Sequence, residues 1–145
     1  TQTTLSVDET KSIISILKNR FPNITIPKKD DICYATQNRQ DAVKRLALES
    51  DFMIVVGSKN SSNSNRLKEL GEKCGCKSVL IDEFADLDLG NISNYSRISI
   101  TAGASAPESR VMEIAKSLEN HIGAKIIEHG EDNENIYFKL PPGLR

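Results

Sequence analysis

Five consecutive apolar residues, Phe52-Met53-Ile54-Val55-Val56, run without a polar interruption into Gly57. A strand with one wet face alternates apolar and polar residues. One that is apolar at every position has to be covered on both faces, as in a parallel sheet flanked by helices. The next eight residues, Ser58-Lys59-Asn60-Ser61-Ser62-Asn63-Ser64-Asn65, are all polar, and Leu67 and Leu70 then return at helical spacing. A buried strand, a polar loop and a helix make the repeating unit of an α/β fold.

The rest of the chain keeps that rhythm. Ser6-Val7-Asp8-Glu9 reads as a capping box, followed by Ile13, Ile14 and Leu17 on a helix that Pro22 ends. Ile24-Thr25-Ile26 reads as a short strand, and Thr36 or Asn38 as the cap of a helix through Ala42, Val43, Leu46 and Ala47. Strands are expected at Ser78–Ile81 and Arg97–Thr101, with one short helical turn near Phe84-Ala85-Asp86-Leu87 between them. Pro107 occupies a favoured first helical position for a helix to about His121. Lys125-Ile126-Ile127 and Asn135 to Leu140 read as closing strands. The expected fold class is therefore α/β, a small, largely parallel sheet flanked by helices. A boundary is placed at the charged stretch around Pro27–Asp31. Residues 1–29 form too few elements to bury a core and read as the tail of a preceding lobe, and residues 30–145 read as one full lobe.

Composition narrows the function classes. A chain of 145 residues hides roughly 70% of its unfolded surface, so no metal or disulfide is needed merely to hold the fold. Lys and Arg number 19 against 20 Asp and Glu, without the basic surplus of a nucleic-acid binder or a polybasic membrane patch. No apolar run approaches a membrane span and no signal peptide is visible, so the expectation is no nucleic acid, no membrane and a cytoplasmic address. Three cysteines, Cys33, Cys74 and Cys76, make no disulfide framework and are expected to be reduced.

Two loops carry a common design. Gly57–Asn65 and Thr101–Glu108 each follow a strand, consist mainly of small or polar residues and open a helix. Free N–H groups at a helix N-terminus, outside the carboxyl end of a parallel strand, favour an anion. Plain capping needs one Ser or Asn, and the first loop holds far more. Neither loop matches the Walker or dinucleotide glycine pattern, so the expected ligand is a small phosphorylated metabolite rather than a nucleotide. Ser64, further into the helix start, serves the cap. Cys33 lies just ahead of a helix, where a thiolate is favoured for nucleophilic or metal chemistry, and position alone leaves a small buried hydrophobe equally open. Cys74-Gly75-Cys76 is a single Cys-x-Cys pair, short of the two pairs of a usual zinc site, and reads as structural. His121 and His129 lack a partner cluster and read as surface residues.

Taken in order, four strings resemble the family of 4-hydroxy-3-methylbut-2-enyl diphosphate reductases of the methylerythritol phosphate route to isoprenoids. They are Thr1-Gln2-Thr3-Thr4-Leu5-Ser6, Asp31 to Gln40 (DICYATQNRQ), Val56 to Leu67 (VGSKNSSNSNRL) and Thr101 to Glu108 (TAGASAPE). The resemblance spans essentially the whole chain. It implies three α/β lobes around a 4Fe-4S cluster held by one cysteine per lobe, Cys33 being the ligand in this chain. It implies that Ser61, Ser62, Asn63 and Ser105 hold the substrate's diphosphate, that Thr36 and Asn38 line the site, and that Thr3 serves the proton relay at the hydroxyl end. Cys74 and Cys76 match no ligand position. Family members are about twice as long, and the other two cysteines, the phosphate-binding histidines and the catalytic glutamate belong to their upstream half. The chain is thus expected to be a C-terminal portion, inactive and without a cluster alone, working with the remaining N-terminal half and a ferredoxin or flavodoxin-type electron donor. In a eukaryote the address would be the stroma of a plastid-type organelle. The alternative from a different class is a non-enzymatic phosphometabolite-binding α/β domain without a cluster.

Overall fold

The computed structural model describes residues 6–26 and 34–129. Its elements are α1 (Val7–Arg20), α2 (Tyr34–Glu49), β1 (Phe52–Val56), α3 (Ser62–Lys73), β2 (Lys77–Ile81), a 3-10 turn (Phe84–Asp86), α4 (Leu89–Ile92), β3 (Ile98–Ala102) and α5 (Glu108–Ile122). The three strands form one sheet in the order β2-β1-β3, parallel throughout, with Ile54 opposite Val79 on one side and Ile100 on the other. The α/β expectation holds.

Every residue of β1 is buried, and alternation across the pleat sorts its side chains between two layers. Met53 and Val55 pack with Val43, Ala47, Leu67 and Leu70 from α2 and α3. Phe52, Ile54 and Val56 pack with Leu87, Ile92, Ile114 and Leu118 from the segment after β2 and from α5. That double cover is why the run is apolar at all five positions. The β1-to-β2 connection passes through α3 on one face, and the β2-to-β3 connection returns over the other. The chain therefore reverses direction at β1, and the crevice outside the carboxyl ends of β1 and β3 is a topological switch point.

Several boundaries differ from the sequence expectation. Helix α2 begins at Tyr34, so Thr36 and Asn38 lie inside it and neither caps it. Nothing between Tyr34 and Asn38 interrupts a helix, and Ala35 and Gln37 favour one. Pro107 is the N-cap of α5 rather than its first helical residue. Ile24–Ile26 is no strand: the Ile24 amide donates to the Phe21 carbonyl in a turn. Lys125–Ile127 is no strand either. In both cases β-branched propensity meets no partner strand among the described residues, and propensity alone does not make a ladder. The expected strand at Asn135–Leu140 and the boundary at Pro27–Asp31 lie largely or wholly outside the described residues. No described helix is long and apolar enough to cross a membrane.

Candidate functional site at the switch point

Gly57 and Gly103 are the residues that follow β1 and β3. Their amides continue the ladder, Gly57 N–H donating to the Ile81 carbonyl at 2.8 Å and Gly103 N–H to the Val56 carbonyl at 2.9 Å. Between them sits Ser64, fully buried in the first turn of α3. A Cβ on either glycine would collide with Ser64 Oγ. The two loops singled out in the sequence therefore meet, with the start of α3 wedged between the ends of the two strands.

Ser61 is the N-cap of α3. Its Oγ accepts from the Ser64 amide at 3.3 Å and from the Ser64 hydroxyl at 3.0 Å. A serine hydroxyl has two acceptor sites and one donor; with both acceptor sites taken by Ser64, the Ser61 O–H remains to donate elsewhere. Ser64 thus donates to the cap instead of forming it, and it fixes the distance between the loops. Ser62 is exposed at the first helical position. Asn63 follows, and both Oδ1 and Nδ2 of its side chain are buried with no hydrogen-bond partner. A buried amide without partners is costly and rare in native structures. The other buried side-chain atoms of this kind among the described residues are single hydroxyls, of Thr10 and Ser99, neither at the carboxyl end of a strand.

Ser105 lies exposed on the turn after β3, where the Ala106 amide donates to the Gly103 carbonyl at 3.1 Å. Helix α2 ends just before β1 and starts at the crevice end: Arg39 Nη1 donates to the Ala102 carbonyl at 3.1 Å. Thr36 is buried in the first turns of α2, and Asn38 is exposed on the same stretch. The first turn of α2 contains no acidic residue, which leaves its dipole unopposed from within the helix. Thr3 and Cys33 lie outside the described residues.

The neighbouring hollow between the ends of β1 and β2 has the opposite character. Ser58, Lys59 and Asn60 there face Asp82, Glu83 and Asp86. Asp86 accepts from the backbone amides of Asp82 and Glu83, at 3.0 and 3.2 Å. These bonds hold its carboxyl below its ordinary range, with a smaller contribution from Lys59, whose ammonium is 4.0 Å away. Carboxylates on that side repel an anion. The neutral donors and Arg39 lie on the β3 side, away from those carboxylates.

Cys74 and Cys76 sit at the other end of the sheet, ahead of the first residue of β2. Burial, helped by Asp51 and Cys74, pushes the Cys76 thiol up and keeps it protonated. Among the described residues no group of three His, Cys, Asp or Glu side chains is arranged to hold a metal. His121 is a surface residue at the end of α5, its Nδ1 2.8 Å from the Ser117 carbonyl, and His129 is exposed. Sequence reasoning gave no role to Arg39 or Gln40, although both lie in one of the quoted strings. Their significance rests on contacts to residues far away in the chain, which a local pattern does not carry.

The family model described as LytB protein matches residues 1–119. The 4-hydroxy-3-methylbut-2-enyl diphosphate reductase of Saccharophagus degradans is 56% identical over 145 residues, all of this chain and 47% of the relative. That of Idiomarina loihiensis is 51% identical over 144 residues, 46% of its length. The chain spans about half the length of the curated relatives it matches. Among solved structures, the E-1-hydroxy-2-methyl-but-2-enyl-4-diphosphate reductase of Plasmodium falciparum superposes with a TM-score of 0.87 at 36% identity, over 97% of this chain and 45% of that one. A second solved structure, described as (E)-4-hydroxy-3-methyl-but-2-enyl diphosphate reductase, gives a TM-score of 0.59 at 28% identity over 82% of this chain and 42% of that one.

Proposed function

The chain belongs to the LytB protein family, and on that premise we propose that it forms the diphosphate-holding side of a 4-hydroxy-3-methylbut-2-enyl diphosphate reductase. The observation that carries the reading is the partnerless buried carboxamide of Asn63 at the switch point. A diphosphate oxygen at that place accepts from Asn63 Nδ2, from the Ser61 hydroxyl and from Ser62 and Ser105. The free amides of the first turn of α3 add a partial positive charge. Thr36 and Asn38 line the same end of α2. Neutral donors suit a substrate that must leave as a diphosphate product, since each holds the anion without a permanent ion pair.

The reaction is a reductive dehydroxylation: the allylic C–O bond breaks, two electrons and two protons enter, and water leaves with isopentenyl or dimethylallyl diphosphate. Thr3, in the segment ahead of α1, hands a proton to the departing hydroxyl. Cys33, immediately before Tyr34 in the sequence, is the cysteine of this chain that the family resemblance assigns as a 4Fe-4S ligand, and a thiol directly ahead of a helix in the sequence is favoured as a thiolate. When bound, such a cluster supplies the electrons, drawn from a ferredoxin or flavodoxin-type donor. The other half of the full-length protein supplies the remaining ligands and covers the outer face of α1.

The test is kinetic and is made on the full-length enzyme. A hydrogen bond to a charged group contributes about 1.5–3 kcal/mol, so Asn63→Ala and Ser105→Ala should each lower kcat/KM by roughly 10- to 150-fold. Iron content should stay unchanged. Full kcat/KM in both variants would reduce the two loops to helix caps.

A further inference from the structure

Two hydroxyls meet at the start of α3, and the direction of donation between them decides what the loop can hold. Ser64 Oγ lies 3.0 Å from Ser61 Oγ, which also accepts from the Ser64 amide at 3.3 Å. Ser64 is 0% exposed, so its proton has no water to go to. Gly57 and Gly103 close in on its oxygen from the ends of β1 and β3. Among the described residues Ser61 Oγ is the one hydrogen-bond partner of the Ser64 hydroxyl. Were the bond reversed, with Ser61 donating, the Ser64 O–H would be buried without an acceptor, a cost that native structures avoid. The proton on that bond therefore belongs to Ser64. Both acceptor sites of Ser61 are then filled by one residue, and what Ser61 has left is a single O–H. No described residue accepts that O–H, and Ser61 is only half-buried.

We propose that Ser64 is a positioning residue for the anion: through its hydroxyl it makes Ser61 a donor and nothing else. The proposal rests on the diphosphate reading given above. A free serine turns to accept as readily as to donate, and it holds a water or an alcohol as well as it holds an anion. Ser61 has no acceptor site left to offer, and the bond into its oxygen polarises its O–H and strengthens it as a donor. The partnerless carboxamide of Asn63, two residues on, supplies a second donor to the same place. Ser64 touches no ligand and acts through Ser61, so its loss weakens the hold on the anion and appears in KM rather than kcat.

The experiment places Ser64→Ala in three backgrounds of the full-length enzyme: unsubstituted, Ser61→Ala and Ser105→Ala. It measures kcat, KM, the inhibition constant of inorganic diphosphate, iron content and thermal midpoint. Alanine removes the hydroxyl but keeps the Cβ that stands between Gly57 and Gly103, so the spacing of the loops stays in place. In the unsubstituted background Ser64→Ala should raise KM and the inhibition constant by roughly 3- to 10-fold with kcat little changed, the size of one neutral hydrogen bond. With Ser61→Ala already present it should add less than about twofold, because the residue it acts through is gone. With Ser105→Ala present, on the other loop, the loss should stay at roughly 3- to 10-fold. Equal losses in the Ser61→Ala and Ser105→Ala backgrounds, or the reverse pattern, would make Ser64 a spacer between the loops and overturn the proposal. A silent Ser64→Ala overturns it, as does a loss that follows iron content or thermal midpoint instead of diphosphate affinity. Where Ser64→Ala fails to fold, Ser64→Cys replaces it in the same backgrounds; its thiol is a weak donor, and the same pattern decides. Should Ser61→Ala, Asn63→Ala and Ser105→Ala all be silent, the diphosphate reading itself fails; if Ser105→Ala is damaging while Ser64→Ala is silent, only the role of Ser64 fails.

Discussion

Helices α1 and α3 open with the same chemistry and end in opposite surroundings. Ser6 Oγ accepts from the Glu9 amide at 3.5 Å and Ser61 Oγ from the Ser64 amide at 3.3 Å, so each helix has a serine cap over its third residue. Beyond the cap, α3 is wedged between two strand ends and buries Ser64, Leu67 and Leu70. Helix α1 buries only Val7 and Thr10. It is tied down by Gln40 and by ion pairs from Lys44, Lys73 and Arg66, while Ile13, Ile16, Leu17 and Phe21 face outward. The cap is a local device and says nothing of what the helix will meet. All the segments that enclose α3 are in this chain, whereas those that would enclose α1 belong, in our reading, to the other half of the protein.

The largest expected effect is on α1. Ile16 is 65% exposed, so Ile16→Asp in the 145-residue chain should change stability by no more than about 0.5 kcal/mol. In the full-length protein the same change replaces a buried isoleucine, worth about 1.5–3 kcal/mol, with a desolvated carboxylate. Chemical denaturation of both should give a loss of about 3 kcal/mol or more in the full-length protein alone. Equal small effects in the two would mean that α1 is open to water in the whole enzyme and would remove half of the comparison.

Next comes the wedge around α3. Gly103→Ala places a Cβ against Ser64 Oγ, and Ser64 is fully buried and has no room to turn away. Overpacking of this kind costs about 1–3 kcal/mol. The double variant Gly103→Ala/Ser64→Ala should regain part of that, because the clashing oxygen is gone, and a double-mutant cycle by thermal denaturation measures the coupling. Independent, additive losses would show that the loops do not meet at Ser64.

What could be read in the sequence follows from the same contrast. The apolar run at β1 announced a strand covered on both faces, because no other environment accepts five such residues in a row. The Ser/Asn loop after it reads as a helix start suited to an anion, and the resemblance, not the local pattern, assigns Ser61, Ser62, Asn63 and Ser105 to one ligand; what the fold adds is that the two loops meet at Ser64. Cys74 and Cys76 were left out of the site on spacing, and the fold places them at the opposite end of the sheet from the two loops. The expected strands at Ile24–Ile26 and Lys125–Ile127 failed because a strand is a property of a pair, and local propensity reports one member only. Ser64 looked like part of a cap because sequence shows its distance from Ser61 and not the two glycines on either side of it. Arg39 and Gln40 carried no local signal of their long-range hydrogen bonds at all. Contacts spanning 63 and 33 residues are visible only once the chain is folded.

The smallest effect separates a residue proposed to serve the ligand alone from one that also caps the helix. Asn63 keeps its carboxamide buried and unpaired, and an unsatisfied buried polar group costs about 1–3 kcal/mol. Removing it relieves that cost but also removes the packing of the side chain, so Asn63→Ala should raise the stability of the ligand-free protein by about 1 kcal/mol or less. Ser61→Ala at the cap of the same helix should do the reverse, losing about 1 kcal/mol. Both should lower kcat/KM in the full-length enzyme, so activity does not tell them apart and thermal denaturation without substrate does. Inorganic diphosphate sharpens the difference: it should raise the midpoint of the unsubstituted protein more than that of Asn63→Ala, because only the former keeps the Asn63 carboxamide as a donor. If Asn63→Ala destabilises the ligand-free protein as Ser61→Ala does, the amide serves the fold and not the ligand. The start of α3 would then be as purely structural as the start of α1.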